Sequence, residues 1–155
     1  MRGLLICWCA GTTSKRREAR FQAMKDDQKV LEYPTQLKAL VEKIITTLPE
    51  EISGRVYIRK NYVCIDLRGS RLGVFTLVLG SEAPELIYDE RYIGFRTIPE
   101  GIDEVIEFGE ETIDDVAAFI LSEDPLVEHK SRIFRRPYVC IPMTCGPEWK
   151  LKKFG

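Results

Sequence analysis

Residues 55–68 read RVYIRKNYVCIDLR, and apolar and polar side chains alternate through both halves of this stretch. Alternation with a period of two is typical of β-strands, because successive side chains point to opposite faces of a sheet. A two-residue turn at Lys60-Asn61 suits the stretch, since Asn61 tolerates the left-handed backbone conformation that such turns require. The stretch therefore predicts an antiparallel hairpin. Its expected register pairs Arg55 with Asp66, Val56 with Ile65 and Ile58 with Val63.

A third strand is predicted directly after this hairpin, at residues 72–79. Gly69-Ser70-Arg71 forms the connecting turn, and a three-residue loop brings Phe75 opposite Ile65. The strand is apolar on both faces, which is typical of a central strand that is covered on both sides. Further β-type segments follow at residues 86–88 and 91–96, around a turn at Asp89-Glu90, and at residues 103–108 and 138–141.

Two amphipathic helices flank the strands. The first begins at Pro34-Thr35 and ends at Pro49, and its apolar residues recur at helical spacing, which defines one buried face. These residues are Leu37, Leu40, Val41, Ile44, Ile45 and Leu48. The second helix covers residues 111–121, with Asp114-Asp115 in a first turn where carboxylates favour the positive end of the helix dipole.

The predicted fold is a single α+β domain with a mainly antiparallel sheet of four to five strands, flanked by an N-terminal and a C-terminal helix. The domain covers residues 34–124. Residues 1–33 form a basic N-terminal extension that can be helical, and residues 125–155 form a basic C-terminal extension. This order of elements occurs in several families of small binding proteins, including secretion chaperones and toxin-immunity proteins, although no motif assigns the chain to any of them.

Charge is distributed unevenly along the 155 residues, although the formal net charge is only −1. Residues 1–30 contain seven basic and three acidic side chains, residues 31–124 nine and nineteen, and residues 125–155 seven and two. Between Thr97 and His129 there are eleven carboxylates and no lysine or arginine. Such asymmetry describes surface fields rather than the fold, and it predicts contacts with other macromolecules.

The acidic stretch is the first candidate site. We expect a protein partner to bind through Asp103, Glu104, Glu107, Glu110, Glu111, Asp114 and Asp115. The same residues are also compatible with a solvated helix face that keeps a small domain soluble. A dedicated cation site is the third interpretation, because oxygen ligands suit hard cations, but no calcium-loop spacing occurs here.

The basic ends are the second candidate site. Cations suited to anion binding occur at Lys15, Arg16, Arg17, Arg20, Arg132, Arg135 and Arg136. Phe134 and Tyr138 interleave with the C-terminal group, a mixture that suits phosphate contacts combined with base stacking. We therefore keep nucleic-acid or anionic-membrane association through the termini as an alternative function. The simpler interpretation is that these residues complement the acidic body, within the chain or on a neighbouring copy in a homodimer.

The cysteines define a third candidate. Cys7, Cys9, Cys140 and Cys145 form two close pairs, and four thiolates can close a tetrahedral structural zinc site. Neither spacing is the usual Cys-x-x-Cys, so free cysteines packed as small hydrophobes are the favoured interpretation and no cofactor is expected. Acylation of Cys7 and Cys9 beside the basic residues is a further alternative. The odd count of five cysteines fits a reducing compartment, and we expect a cytoplasmic location.

Enzymatic chemistry has little support in the sequence. The chain has a single histidine, His129, and contains neither a Gly-x-Ser-x-Gly motif nor a phosphate-binding glycine loop. A nuclease-type carboxylate set around Asp66 is rejected, because the following strand carries no charge at residues 74–78. The sequence therefore predicts a non-enzymatic protein-interaction module, of the adaptor, inhibitor, immunity or chaperone type, that recognises its partner through an acidic face.

Overall fold

Two helices and seven strands make up the described part of the chain. The structure, a computed structural model, describes residues 33–80, 83–97, 101–130, 132, 136–144 and 146–154. Helix α1 covers residues 33–45, and helix α2 covers Ile102–Leu121. The strands are β1 (Ser53–Arg59), β2 (Tyr62–Arg68), β3 (Phe75–Leu79), β4 (Glu85–Tyr88), β5 (Tyr92–Phe95), β6 (Tyr138–Ile141) and β7 (Trp149–Lys153). They form one antiparallel sheet in the order β1-β2-β3-β4-β5-β7-β6.

The hairpin predicted from residues 55–68 is confirmed, including its register. Arg55 pairs with Asp66, Val56 with Ile65 and Ile58 with Val63. The turn differs in one detail, because the positive φ of 55° belongs to Lys60 rather than to Asn61. The pair of strands predicted around Asp89-Glu90 is also confirmed, as β4 and β5, and these two turn residues have φ values of 50° and 55°.

The predicted register between β2 and β3 is wrong by two residues. The observed pairs are Phe75 with Leu67 and Leu77 with Ile65. The loop after β2 covers residues 69–74 and contacts α2. The guanidinium group of Arg71 donates to the carbonyl oxygens of Phe119, at 3.1 Å, and Asp124, at 2.7 Å. Arg71 thereby supplies a cation at the negative end of α2, whose last turn holds no basic residue.

The sheet has seven strands within the described residues, whereas the sequence predicts four to five. β6 and β7 account for the difference. Both strands come from residues 125–155, pair with each other and extend the sheet beyond β5. The α+β class and the antiparallel pairing are as predicted, and the sheet is larger.

Helix α2 includes residues 103–108, for which the sequence predicts a short edge strand. Gly109 interrupts the apolar pattern there, and glycine is a poor helix former. In the structure Gly109 is buried, and a Cβ at this position would lie 2.8 Å from Leu79 Cδ1. The missing side chain lets α2 approach β3 closely, so packing against the sheet maintains the helix across the glycine.

Both helices cover the same face of the sheet. The largest fully buried strand side chains on this face are Ile65, Leu67, Phe75, Leu77, Leu79, Leu86, Ile141, Trp149 and Leu151. Phe119 of α2 contacts Phe75 edge to face, with ring centroids 6.4 Å apart. No described helix lies on the opposite face, where Thr76 and Val78 of β3 are only partly buried. The expectation that β3 is covered on both sides stays a prediction, and we call this second surface the open face.

Gly94 on β5 is required for the close approach of β7. A Cβ at this position would lie 2.8 Å from the carbonyl oxygen of Lys150 and 2.7 Å from Leu151 Cδ2. The first of these atoms belongs to the backbone, which cannot move aside as a flexible side chain can. β5 and β7 therefore pair as they do because residue 94 has no side chain.

Gly94→Ala should lower the free energy of unfolding by about 1–3 kcal/mol, which is the usual effect of extra atoms in a packed contact. Urea denaturation followed by circular dichroism measures this. Gly109→Ala is the matched control, because its close neighbour is the flexible end of Leu79 and a gain in helix propensity of about 1 kcal/mol offsets the crowding. An equal loss of stability in both variants would contradict the packing described for Gly94.

Candidate functional site

Helix α2 presents carboxylates to solvent along its 20 residues, a length of about 30 Å. The apolar side of the helix faces the sheet, so the charged residues between the apolar positions point outward. Six of the seven predicted partner-binding residues are exposed: Asp103, Glu104, Glu107, Glu110, Glu111 and Asp114. We call these six residues the acidic face.

Asp115, the seventh predicted residue, is partly buried and makes a structural contact. Its carboxylate accepts hydrogen bonds from the backbone N–H of Thr144, at 2.9 Å, and from the Thr144 hydroxyl. Thr144 lies in the connection between β6 and β7. Asp115 therefore links α2 to this connection through hydrogen bonds and is not part of the acidic face.

No lysine or arginine in the described part of the chain forms an ion pair with the acidic face. Its carboxylates follow one another at spacings of three and four residues, where like charges destabilise a helix by about 0.2–0.5 kcal/mol per pair. Asp103 and Glu104 gain from the positive end of the helix dipole, whereas the carboxylates from Glu107 onward lie beyond the first turn. The packing of the buried side of α2 must therefore stabilise the helix against the repulsion between the carboxylates of its acidic face.

Glu107→Gln should raise the free energy of unfolding by about 1 kcal/mol at low ionic strength, because residue 107 has carboxylate neighbours at positions 103, 104, 110 and 111. The gain should nearly vanish at about 1 M salt, where the screening length falls to about 3 Å. Urea denaturation at the two salt concentrations measures it. Glu51→Gln, in an exposed turn outside α2, is the control and should change little. A salt-independent or destabilising effect of Glu107→Gln would contradict the repulsion.

A cleft of about 540 Å³ opens beside β5 and β7. It is lined by four cations, Arg136, Lys150, Lys152 and Lys153, and by the apolar side chains of Ile93 and Phe95. Ile93 pairs with Lys152 across β5 and β7, so these side chains lie on the open face. The described lining residues include no carboxylate. We call this feature the basic cleft.

The cations of the basic cleft are largely uncompensated. Arg136 and Lys152 are exposed and form no ion pair with any residue that the structure describes. Lys150 Nζ lies 4.1 Å from the ring centroid of Tyr138, a cation–π contact that orients the ammonium group and leaves its charge in place. The cleft therefore has a positive field available for a ligand.

Glu128 connects the segment after α2 to the rim of the basic cleft. Its carboxylate accepts a hydrogen bond from the hydroxyl of Tyr92 and lies 3.8 Å from Lys153 Nζ. The hydrogen bond from Tyr92 lowers the pKa of Glu128, with a further contribution from Lys153. The same hydrogen bond raises the pKa of Tyr92. This contact positions the end of β7 at the cleft.

Tyr92→Phe should reduce stability near neutral pH and have less effect in acid. A carboxyl group whose pKa is lowered on folding stabilises the folded state above its unfolded pKa of about 4.3, and this contribution is lost as the pH falls through the folded pKa. The difference in unfolding free energy between wild type and Tyr92→Phe should therefore be complete at about pH 7 and shrink below about pH 4. Tyr62→Phe, at an exposed tyrosine, is the control. A difference that is independent of pH would contradict the link to Glu128.

The remaining predicted site residues are only partly within the described chain. Arg132 is exposed, and Arg136 lines the basic cleft. The residues outside the described part are Lys15, Arg16, Arg17, Arg20 and Arg135 of the anion-binding set and Cys7, Cys9 and Cys145 of the cysteine set. Cys140 lies on β6, where burial and a hydrogen bond with Glu148 raise the pKa of its thiol. No cluster of three metal-ligating side chains occurs among the residues described, and the zinc site stays a prediction.

β7 and the basic cleft are absent from the features predicted above. A signal was present at residues 149–153, where the apolar members of WKLKK alternate with lysines. Such alternation predicts a strand with one buried and one cationic face. Phe95 has the corresponding position on β5, but no local pattern shows that β5 and β7 are neighbours. The cleft depends on this long-range pairing.

The described fold defines the class of protein as an α+β domain with one antiparallel sheet and helices on a single face of it. A scan against models of protein families, a search of curated proteins and a search of solved structures each return no match for this chain. Neither helix in the described ranges has the length and apolar character needed to cross a lipid bilayer. Function must therefore be argued from the acidic face and the basic cleft.

Proposed function

We propose that this protein is a non-enzymatic protein-interaction module, of the adaptor, inhibitor, immunity or chaperone type, that recognises a basic surface of its partner through the acidic face. The observation that carries the proposal is the set of six exposed carboxylates on one helix, with no cation paired to them among the described residues. A cytoplasmic setting belongs to the same proposal, because the cysteine usage fits a reducing compartment.

The energetic arrangement of α2 supports a role for its charge. Like-charge neighbours at spacings of three and four residues weaken the helix, and no internal contact compensates for them in the described structure. Natural proteins depart from local stability rules chiefly where function requires it. A basic partner would convert this repulsion into attraction and would be steered toward the helix before contact.

The C-terminal end of α2 offers an apolar anchor next to these charges. Ala118 and Leu121 are exposed and continue the line of Glu111 and Asp114 at spacings of four and three residues. Leu121 is 46% exposed. Interfaces combine an apolar centre with a polar rim, and helix recognition uses anchors at this spacing. This row of side chains on α2 therefore combines charged and apolar groups, as a protein contact surface does.

Removing three charges from the acidic face should abolish partner binding. The variant carries Glu107→Gln, Glu110→Gln and Asp114→Asn, which keep the size of each side chain and spare Asp115. Affinity capture uses the full chain and a lysate of the organism from which the sequence comes, with mass spectrometry of the retained proteins. Loss of the proteins retained by wild type is expected, since electrostatic complementarity governs both encounter and register.

The matched control removes the same number of charges elsewhere, through Glu50→Gln, Glu51→Gln and Glu123→Gln at exposed positions outside α2. This control should retain the wild-type set of proteins. The proposal is contradicted if the acidic-face variant retains the same proteins as wild type, or if both variants lose them equally.

A further inference from the structure

The basic cleft selects an anionic ligand. Arg136, Lys150 and Lys152 are exposed at its wall, and no carboxylate is present among its described lining residues. Lys153 is the one lining cation with an ion pair in the described part of the chain, to Glu128 at 3.8 Å. A concave surface of this kind concentrates positive potential, because the low-dielectric walls focus the field. The acidic face lies on the helix side of the sheet and does not contribute to the cleft.

Phe95 gives the cleft an exposed aromatic ring, which binding of a simple anion does not require. Its side chain is 59% exposed on the open face and makes no ring contact with any described aromatic residue. Tyr138, the nearby aromatic on β6, is already covered by Lys150 and stacks on His129 with centroids 5.1 Å apart. Phe95 is therefore the ring of the cleft that is available for stacking.

An exposed ring beside lysines on the adjoining strand suits one class of ligand best. Single-stranded nucleic acids carry unpaired bases, which stack on aromatic side chains, and phosphates, which pair with cations. In known modes of binding, the aromatic side chains and the cations that make these contacts lie on the surface of a sheet. Neighbouring strands are about 4.8 Å apart, so a base on Phe95 keeps its phosphate within reach of the long side chains on β7. A duplex does not expose its base faces and lacks this fit.

Other occupants match the cleft less well. A second copy of the chain could present its acidic face, but carboxylates do not stack on the exposed ring of Phe95. Asp66, Asp89 and Glu90 line a different cleft on the open face and would limit a polyanion to the β5, β7 and β6 side of the sheet.

We propose that the basic cleft binds single-stranded nucleic acid, with one base stacked on Phe95 and the adjoining phosphates paired with Lys150, Lys152 and Arg136. This site is separate from the acidic face, so the proposal does not depend on the protein-interaction role. With three cations the binding is modest and falls as salt increases.

Fluorescence anisotropy of the full chain tests the proposal. The probes are fluorescein-labelled oligouridylate and oligothymidylate of about 12 nucleotides, a duplex of the same length, and heparin as a polyanion without bases. The variants are Phe95→Ala and the pair Lys150→Gln with Lys152→Gln. The controls are Phe154→Ala, at a phenylalanine that is 47% exposed outside the cleft lining, and the pair Lys43→Gln with Lys60→Gln.

Phe95→Ala should weaken binding of the single strands about fivefold or more and leave heparin binding unchanged, because only the former loses a stacked base. The paired lysine variant should weaken both ligands and reduce the salt slope by about 0.7 per lysine. Neither control should change the affinity. If Phe95→Ala lowers the thermal midpoint, Phe95→Leu replaces it, since leucine retains the apolar volume and removes the ring.

Three results would overturn the proposal. The first is no binding of either single strand at low salt. The second is binding that Phe95→Ala and the paired lysine variant leave unchanged, which would assign it to cations outside the basic cleft. The third is concentration-dependent self-association that the paired lysine variant abolishes, measured by sedimentation, which would identify a second copy as the occupant. Equal binding of the two single strands, or preference for one, supports the proposal and distinguishes recognition of the sugar.

Discussion

The packing of α2 against β2 and β3 is the contact on which the rest of the structure depends. Phe119 meets Phe75 edge to face, and a Cβ on Gly69 would lie 2.3 Å from Ile120 Cγ2. Gly109 allows the middle of the helix to approach β3 in the same way. This buried side must supply more favourable free energy than the acidic face removes. Helix α2 can therefore carry the acidic face because its buried side packs closely against the sheet.

The position of α1 and α2 on one face of the sheet determines where the second candidate surface lies. Because α1 and α2 occupy the same face, the strands alternate between fully buried side chains and side chains that line the open face. On β7 this alternation turns Trp149 and Leu151 inward and Lys150 and Lys152 outward. On β5 it leaves Phe95 exposed beside them. The basic cleft is thus a direct consequence of the strand period and of the order β5-β7-β6.

The parts of the structure that could be predicted are those controlled by neighbours in sequence. The first hairpin depends on local alternation and a two-residue turn, so its register followed from residues 55–68. The register of β3 could not be predicted, because its loop is shaped by Arg71, whose partner Phe119 lies 48 residues away. Gly109 likewise lies within a helix because packing beside Leu79 offsets the low helix propensity of glycine. Helical spacing predicted the exposure of Glu111 and Asp114, whereas residues 103–108 were predicted as a strand and join α2 only in the structure. The cleft required knowledge of strand pairing.

The charge asymmetry along the chain becomes a separation in space. Residues 125–155 carry seven basic and two acidic side chains, and packing of these cations against the acidic face would have neutralised both. Instead β6 and β7 lie at the other edge of the sheet from β1, where Lys150 and Lys152 point to the open face. The acidic face and the cations Lys150 and Lys152 therefore lie on opposite sides of one sheet. The two proposed ligands, a basic protein surface and an anionic strand, would then contact different side chains and would not compete with each other.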